Sequence, residues 1–306
     1  MRRLVLVLIF IFSCFYVIGQ NQEQYNHYIA NQGLLNPAYN GTREFMSGLL
    51  VSRNQWIGIE GAPITQALNV HSPISNTNLG LGLAVTNESM GAHHSLDCYG
   101  AVAYKVPINN DYKLSLGLQL GFNSFSMDQS KLVSYDNSDA SLYDIPNTIA
   151  LNVGFGSYFY SDKLFVGFSI PEFFTNFSNS KLGTDKSVFD YKNLHYYLYG
   201  GYVFEADNYA IKPTILTRFV YGAPIQIDMT ANILLFRKAW LGLSYKTSSE
   251  MTFLLEYIID NRFTVRYSYD YPFSSLNQVT NYGSHEVGIQ FDFDFGKTVM
   301  KSIRYF

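Results

Sequence analysis

The sequence predicts an all-β fold, a transmembrane up-and-down antiparallel barrel of about fourteen strands with a non-strand N-terminal segment that could enter the lumen. Three observations predict it. Apolar and polar residues alternate with a period of two from residue 43 almost to the end. Short turns alternate with long polar loops. Aromatic residues are 17% of the chain, with 25 Tyr and 24 Phe, while charged residues are only 15%. Such an apolar load rules out disorder. With 21 Lys and Arg against 24 Asp and Glu, the net charge of -3 argues against a nucleic-acid binder.

The chain opens on Arg2 and Arg3, the apolar run Leu4 to Phe12, and small residues up to Gly19. That pattern reads as a signal peptide over 1–19 and an exported protein. The run is short for a membrane anchor. A lipoprotein signal ending at Cys14 is the other alternative, and Phe12 fits it badly. Cys98 is then the lone cysteine, so neither a disulfide framework nor a thiol-held metal is expected. Residues 20–42 lack the period and form a possible plug. The barrel is expected over 43–295 and a periplasmic tail over 296–306.

Side chains alternate across a strand, so each strand carries one apolar and one polar face. Leu114, Leu116, Leu118, Leu120 and Phe122 alternate with Lys113, Ser115, Gly117, Gln119 and Gly121. Phe263, Val265, Tyr267, Tyr269 and Tyr271 do the same near the end. The expected spans are 43–53, 63–72, 78–87, 95–106, 112–125, 147–160, 163–171, 193–205, 208–220, 225–235, 238–247, 250–259, 262–272 and 283–295. Links after even-numbered strands are short. Those after strands one, five, seven and thirteen are longer, and 126–146 and 172–192 are the longest. Strict alternation of this kind marks an outer-membrane barrel. Tyr104, Tyr112, Tyr158, Tyr160, Tyr209, Tyr245, Tyr257, Tyr269 and Tyr271 are placed in interfacial girdles. A secreted β-sandwich also alternates, but its strands are usually shorter.

In a barrel the polar faces line the lumen. Lys113, Asp228, Lys246, Glu256, Arg262, Arg266, Asp270, Glu286, Asp292 and Asp294 are expected there. Their mixed signs suggest internal ion pairs instead of a wide single-sign pore.

The search for chemistry is mostly negative. No metal-ligand spacing joins His27, His71, His93, His94, His195 or His285. Gly80-Leu81-Gly82 and Gly154-Phe155-Gly156 lie inside strands with no helix after them, so they are not phosphate loops; glycine on a lumen face makes room for neighbours. No enzyme activity and no cofactor are expected. Two segments stand out: Leu35-Asn36-Pro37-Ala38-Tyr39-Asn40-Gly41, and Arg53-Asn54-Gln55-Trp56 through Gly58 and Gly61-Ala62-Pro63 to Thr65. Both suit turns. Both also suit partner recognition, because Trp and Arg favour hot spots.

These segments resemble the PorP/SprF family of Bacteroidetes outer-membrane proteins of the type IX secretion system. Tyr25 to Tyr28, then Leu35 to Tyr39 and Gly41, resemble its N-terminal Asn-Pro-Ala-Tyr region. Arg53-Asn54-Gln55-Trp56, Gly58, Gly61-Ala62-Pro63 and Thr65 resemble its Arg-Gln-Trp block, the most specific part. Gly80 to Gly91 resembles the next hairpin, Gly283 to Phe291 the last strand, and Arg304-Tyr305-Phe306 the usual terminus. Asn40 and Ile303 stand where Ala and Pro are commoner. The resemblance implies a non-enzymatic outer-membrane component that supports export or surface attachment of a secreted cargo, such as a large gliding adhesin. Its partners would be outer-membrane lipids, other type IX components and that cargo, with no nucleic acid and no small-molecule substrate. Partner contacts are expected at Asn36, Pro37, Tyr39, Arg53, Gln55, Trp56, Gly58, Gly61, Pro63, Arg304, Tyr305 and Phe306. A solute channel and a soluble sandwich adhesin are the alternatives.

Overall fold

A computed structural model describes residues 25–30, 32–132, 147–179, 184–188, 194–273 and 282–293. The expected signal segment 1–19, Asp294 and the expected tail with Arg304, Tyr305 and Phe306 lie outside the described residues. The strands are β1 (Met46–Asn54), β2 (Ile64–Pro73), β3 (Leu79–Met90), β4 (His93–Pro107), β5 (Lys113–Met127), β6 (Thr148–Tyr160), β7 (Leu164–Asn179), β8 (Thr184–Val188), β9 (Tyr196–Tyr202), β10 (Phe204–Glu205), β11 (Tyr209–Phe219), β12 (Gln226–Leu235), β13 (Ala239–Lys246), β14 (Glu250–Ile258), β15 (Phe263–Pro272) and β16 (Ser284–Phe293).

They form one closed antiparallel barrel of fourteen wall strands. β9 pairs with β7 on one side and β11 on the other. β10 continues the same wall strand beyond Val203 and also pairs with β11. β8 folds back onto the far end of β7, inside the stretch 172–192 expected to be loop. β16 closes the circle on β1, in unbroken register from Met46 opposite Phe293 to Asn54 opposite His285.

The period of two decides which face is which. On β5, Leu118 and Leu120 point outward and are 61% and 63% exposed, while Ser115, Gly117 and Gln119 are buried inside. An apolar outer surface repeated round the wall suits lipid, not water. The closed sheet with that belt excludes the sandwich. Tyr104, Tyr209, Tyr245, Tyr257 and Tyr271 are exposed on the outside. Tyr158 and Tyr160 are not girdle residues: they share parity with inward-facing Asn152 and Gly156 on β6, so both point into the lumen and are buried.

At one end of the barrel all links are short, as expected. At the other end 55–63, 128–147 and 273–283 are long, but 91–92 and 247–249 are tight, so alternation is looser than the sequence reading had it. Gly91 and Ser249 hold positive φ of 60° and 67°, which lets such hairpins turn. β1 starts three residues later than expected because Arg43 turns inward to bond Asp292.

Candidate functional site

The lumen is filled by the chain's own N-terminal segment. The described residues of 25–42 include three short 3-10 turns, Asn26–Ile29, Gln32–Leu34 and Pro37–Tyr39, and nearly all of them are buried. Proline at the first turn position and Asn36 before it explain the third turn. Asn36 Oδ1 accepts from the Ala38 N–H at 2.9 Å, and Pro37 lacks the N–H that would go unused there. Asn36 Nδ2 donates to the wall carbonyls of Ser157 at 2.9 Å and Phe168 at 3.3 Å. Ser169 Oγ donates to Leu35 O at 2.7 Å.

Close packing needs bare wall. A Cβ on Gly117 would strike the backbone of Pro37 and Ala38, and one on Gly156 would strike the Asn36 side chain. Gly80 and Gly82 do the same for Asn40 and Gly41. The lumen glycines therefore make room, as their place in strands suggested. Tyr39 meets His71 and Tyr158 edge-on, with ring centroids 5.1 and 5.5 Å apart. With Tyr28, Ile29, Leu35, Phe165 and Tyr199 it forms an apolar cluster inside the barrel. Each such buried aromatic or aliphatic side chain contributes on the order of 1.5–3 kcal/mol.

The segment is also pinned by charge. Glu286 accepts from the backbone N–H groups of Asn26 and His27, both at 2.9 Å, and pairs with His27 Nδ1 at 2.7 Å. Arg53 bridges Asp270 at 2.6 Å and Glu286 at 3.2 Å, and is 2% exposed. Lys246 adds contacts to Asn26 Oδ1 at 2.6 Å and Asp270 at 3.2 Å. Lower down, Arg43 reaches Asp292, the Ala30 carbonyl and the Tyr39 hydroxyl, each at 3.2 Å. Lys105 Nζ donates to Gly41 O at 2.8 Å.

The residues expected to meet a partner thus divide. Asn36, Pro37 and Tyr39 lie inside and seat the N-terminal segment against the wall, while Arg53 lies inside on β1 and braces Asp270 and Glu286, which bond Asn26. Pro63 is buried; Gln55 and Trp56 are half-buried; Gly58 and Gly61 are exposed on the connection between β1 and β2. That connection is braced. Ile57 N–H donates to Gly283 O at 2.9 Å, and Gly91 N–H to Gly61 O at 2.9 Å. Trp56 holds φ at 47°, a left-handed conformation rare for a bulky residue. Of the expected lumen charges, Asp228, Lys246, Glu256, Arg266, Asp270, Glu286 and Asp292 face inward, whereas Lys113 and Arg262 are exposed at the rim. Internal ion pairs form as expected, such as Arg266 with Glu256 at 3.3 Å, while Asp228 pairs with Arg218, a residue not among the expected lumen charges. Sequence reasoning missed Asn26, His27 and Arg43. Asn26 and His27 fell in the stretch without period and in the Tyr25 to Tyr28 part of the resemblance, and Arg43 was taken as the start of the first strand.

On the loop side of the segment a cavity of about 390 Å³ remains, bounded by Tyr25, Leu34, Glu88, Asp97, Glu172 and Tyr197 among others. Among the described residues no group of three or more His, Cys, Asp or Glu side chains could hold a metal ion.

The fold is similar to that of a solved channel protein, with weaker likenesses beside it. The CymD monoaromatic hydrocarbon channel aligns at a TM-score of 0.50 and 13% identity, covering 92% of this chain and 96% of that one. The Pseudomonas putida toluene transporter TodX aligns at 0.48 and 10%, covering 88% and 95%. The Acinetobacter baumannii outer-membrane protein Omp33 aligns at 0.46 and 11%, covering 83% and 100%. No curated protein matches the chain significantly. A family model for the type IX secretion system membrane protein PorP/SprF matches residues 17–291. Nearly the whole chain is covered by that match; the protein belongs to the PorP/SprF family of type IX secretion system membrane proteins.

Proposed function

We propose that this protein is a non-enzymatic outer-membrane component of type IX secretion that supports export or surface attachment of a secreted cargo, such as a large gliding-type adhesin. The family match over residues 17–291 carries the reading. Arg2 to Gly19 would export the chain, the apolar belt would meet outer-membrane lipid, and the long loops would face outside. Contacts with cargo and with other type IX components would fall on the exposed part of the 55–63 connection around Ile57, Gly58 and Gly61, together with Trp56.

The test is a deletion strain with quantitative proteomics of its surface and medium fractions. Loss of one large surface protein with other cargo retained makes this a dedicated companion; loss of all sorted cargo makes it part of the core machine. An unchanged surface and medium would overturn the reading and put a solute channel first. The cavity of about 390 Å³ is what favours that second reading, and the filled lumen weighs against it. Single-channel recording in planar bilayers separates the two, since a plugged barrel passes little current.

A further inference from the structure

Most neighbouring wall strands are joined by a turn whose length fixes their register. The β16–β1 seam has none, and its strands lie at opposite ends of the wall's sequence. The hydrophobic pattern protects it only in part. A slip of one residue would turn apolar side chains inward, but a slip of two keeps every face correct. Something else must choose among the even registers.

Two polar clamps sit on the seam. Near the loop end Arg53 stands directly opposite Glu286 and bonds it. Near the turn end Ser47 stands directly opposite Asp292 and donates to it at 2.5 Å. The clamps are six residues apart on each strand, a span of about 20 Å. A two-residue slip would set Arg53 against Gly288 or Ser284. Each clamp also holds one end of the N-terminal segment: Asn26 and His27 at Glu286, Arg43 at Asp292. Arg43 is fastened in turn to Ala30 O and Tyr39 OH.

We propose that residues 25–43 act as an internal gauge: seated in the lumen before the wall closes, they set the register in which β16 pairs with β1. The lumen segment is then an assembly device as well as a filling.

Cross-linking in the full-length chain tests this. In a Cys98→Ser background, Leu50→Cys with Ile289→Cys reports the native register, because these outward residues are partners. Leu50→Cys with Val287→Cys or with Phe291→Cys reports slips of two. The unaltered segment should give the native cross-link alone. Replacing its anchors together (Asn26→Ala, His27→Ala, Arg43→Met) should lose most of that cross-link and bring up a slipped one. Arg218→Met, which breaks the buried pair with Asp228 on β12 away from the seam, should leave the native cross-link in place. A native-only pattern in the segment variant would overturn the proposal. So would the same redistribution in Arg218→Met, since that makes slippage a general effect of lost stability. Where the triple variant does not accumulate, Asn26→Ala alone, which keeps every charge, is read by the same two results.

Discussion

The two sides of the lumen treat charge differently. From β11 round to β1, Asp228, Glu256, Asp270, Glu286 and Asp292 each pair with an Arg or Lys. On the β3–β7 side, Glu88, Asp97 and Glu172 border the cavity, and their hydrogen-bond partners are neutral: Thr65, Ser95 with Asn123, and Tyr99. Among the described residues none of the three pairs with a Lys or Arg. Buried charge is costly unless it is paired and bonded. The paired side therefore holds Asn26, His27 and Arg43 through charge. The β3–β7 side takes Asn36 to Gly41 against bare glycines and leaves space around its carboxylates. The difference separates a wall that grips by charge from a wall that grips by close packing and keeps a cavity.

The largest expected effect breaks the grip. Arg53→Met strands Asp270 and Glu286 with only Lys246, His27 and neutral donors, and should destabilise the barrel by about 3–5 kcal/mol. Urea titration read by the gel-mobility difference between folded and unfolded barrel measures it; a midpoint equal to wild type would contradict the clamp. Next comes packing. Gly117→Val drives a side chain into the backbone of Pro37 and Ala38 and should cost about 1–3 kcal/mol, whereas Gly100→Ala, whose Cβ would meet only Leu120 O at 3.9 Å, should be near neutral. Equal losses at both glycines would mean that the close approach of the segment does not matter.

Asn36→Ala removes a turn cap and two bonds to the wall, and should cost about 1–2 kcal/mol in the same titration. On the roomy side Glu172→Gln removes one of three like charges and should be neutral or stabilising by up to about 1 kcal/mol; a loss as large as that of Arg53→Met would erase the contrast between the two walls. Trp56→Ala should change stability by no more than about 0.5–1 kcal/mol. Its effect should appear instead as weaker recovery of secretion partners with the tagged barrel, and unchanged recovery would move the contact surface elsewhere.

The wall was largely legible in the amino-acid order. Leu114 to Phe122 can satisfy a period of two in one way only, and the short turns at 161–163 and 236–238 interrupt that period where the chain must reverse. The lumen charges on β15 and β16 were legible for the same reason, as the polar half of an alternation. Arg53 was not. An Arg beside a Trp reads as an exposed recognition pair, and its two carboxylates lie 217 and 233 positions away in sequence. Tyr158 and Tyr160 were misplaced because aromatic content near a strand end suggests a girdle, while parity along β6 puts them inside.

Local order alone determined that this chain alternates, where it turns, and that its outer face is apolar, because alternation and turn chemistry act over a few residues. Local order also set 20–42 apart as a segment that could enter the lumen; the tertiary structure alone decided what that segment meets. Whether Asn36 meets Gly156, or Arg53 meets Glu286, depends on the curvature and shear of a closed wall. Those quantities belong to the assembled wall, and no short stretch of sequence contains them.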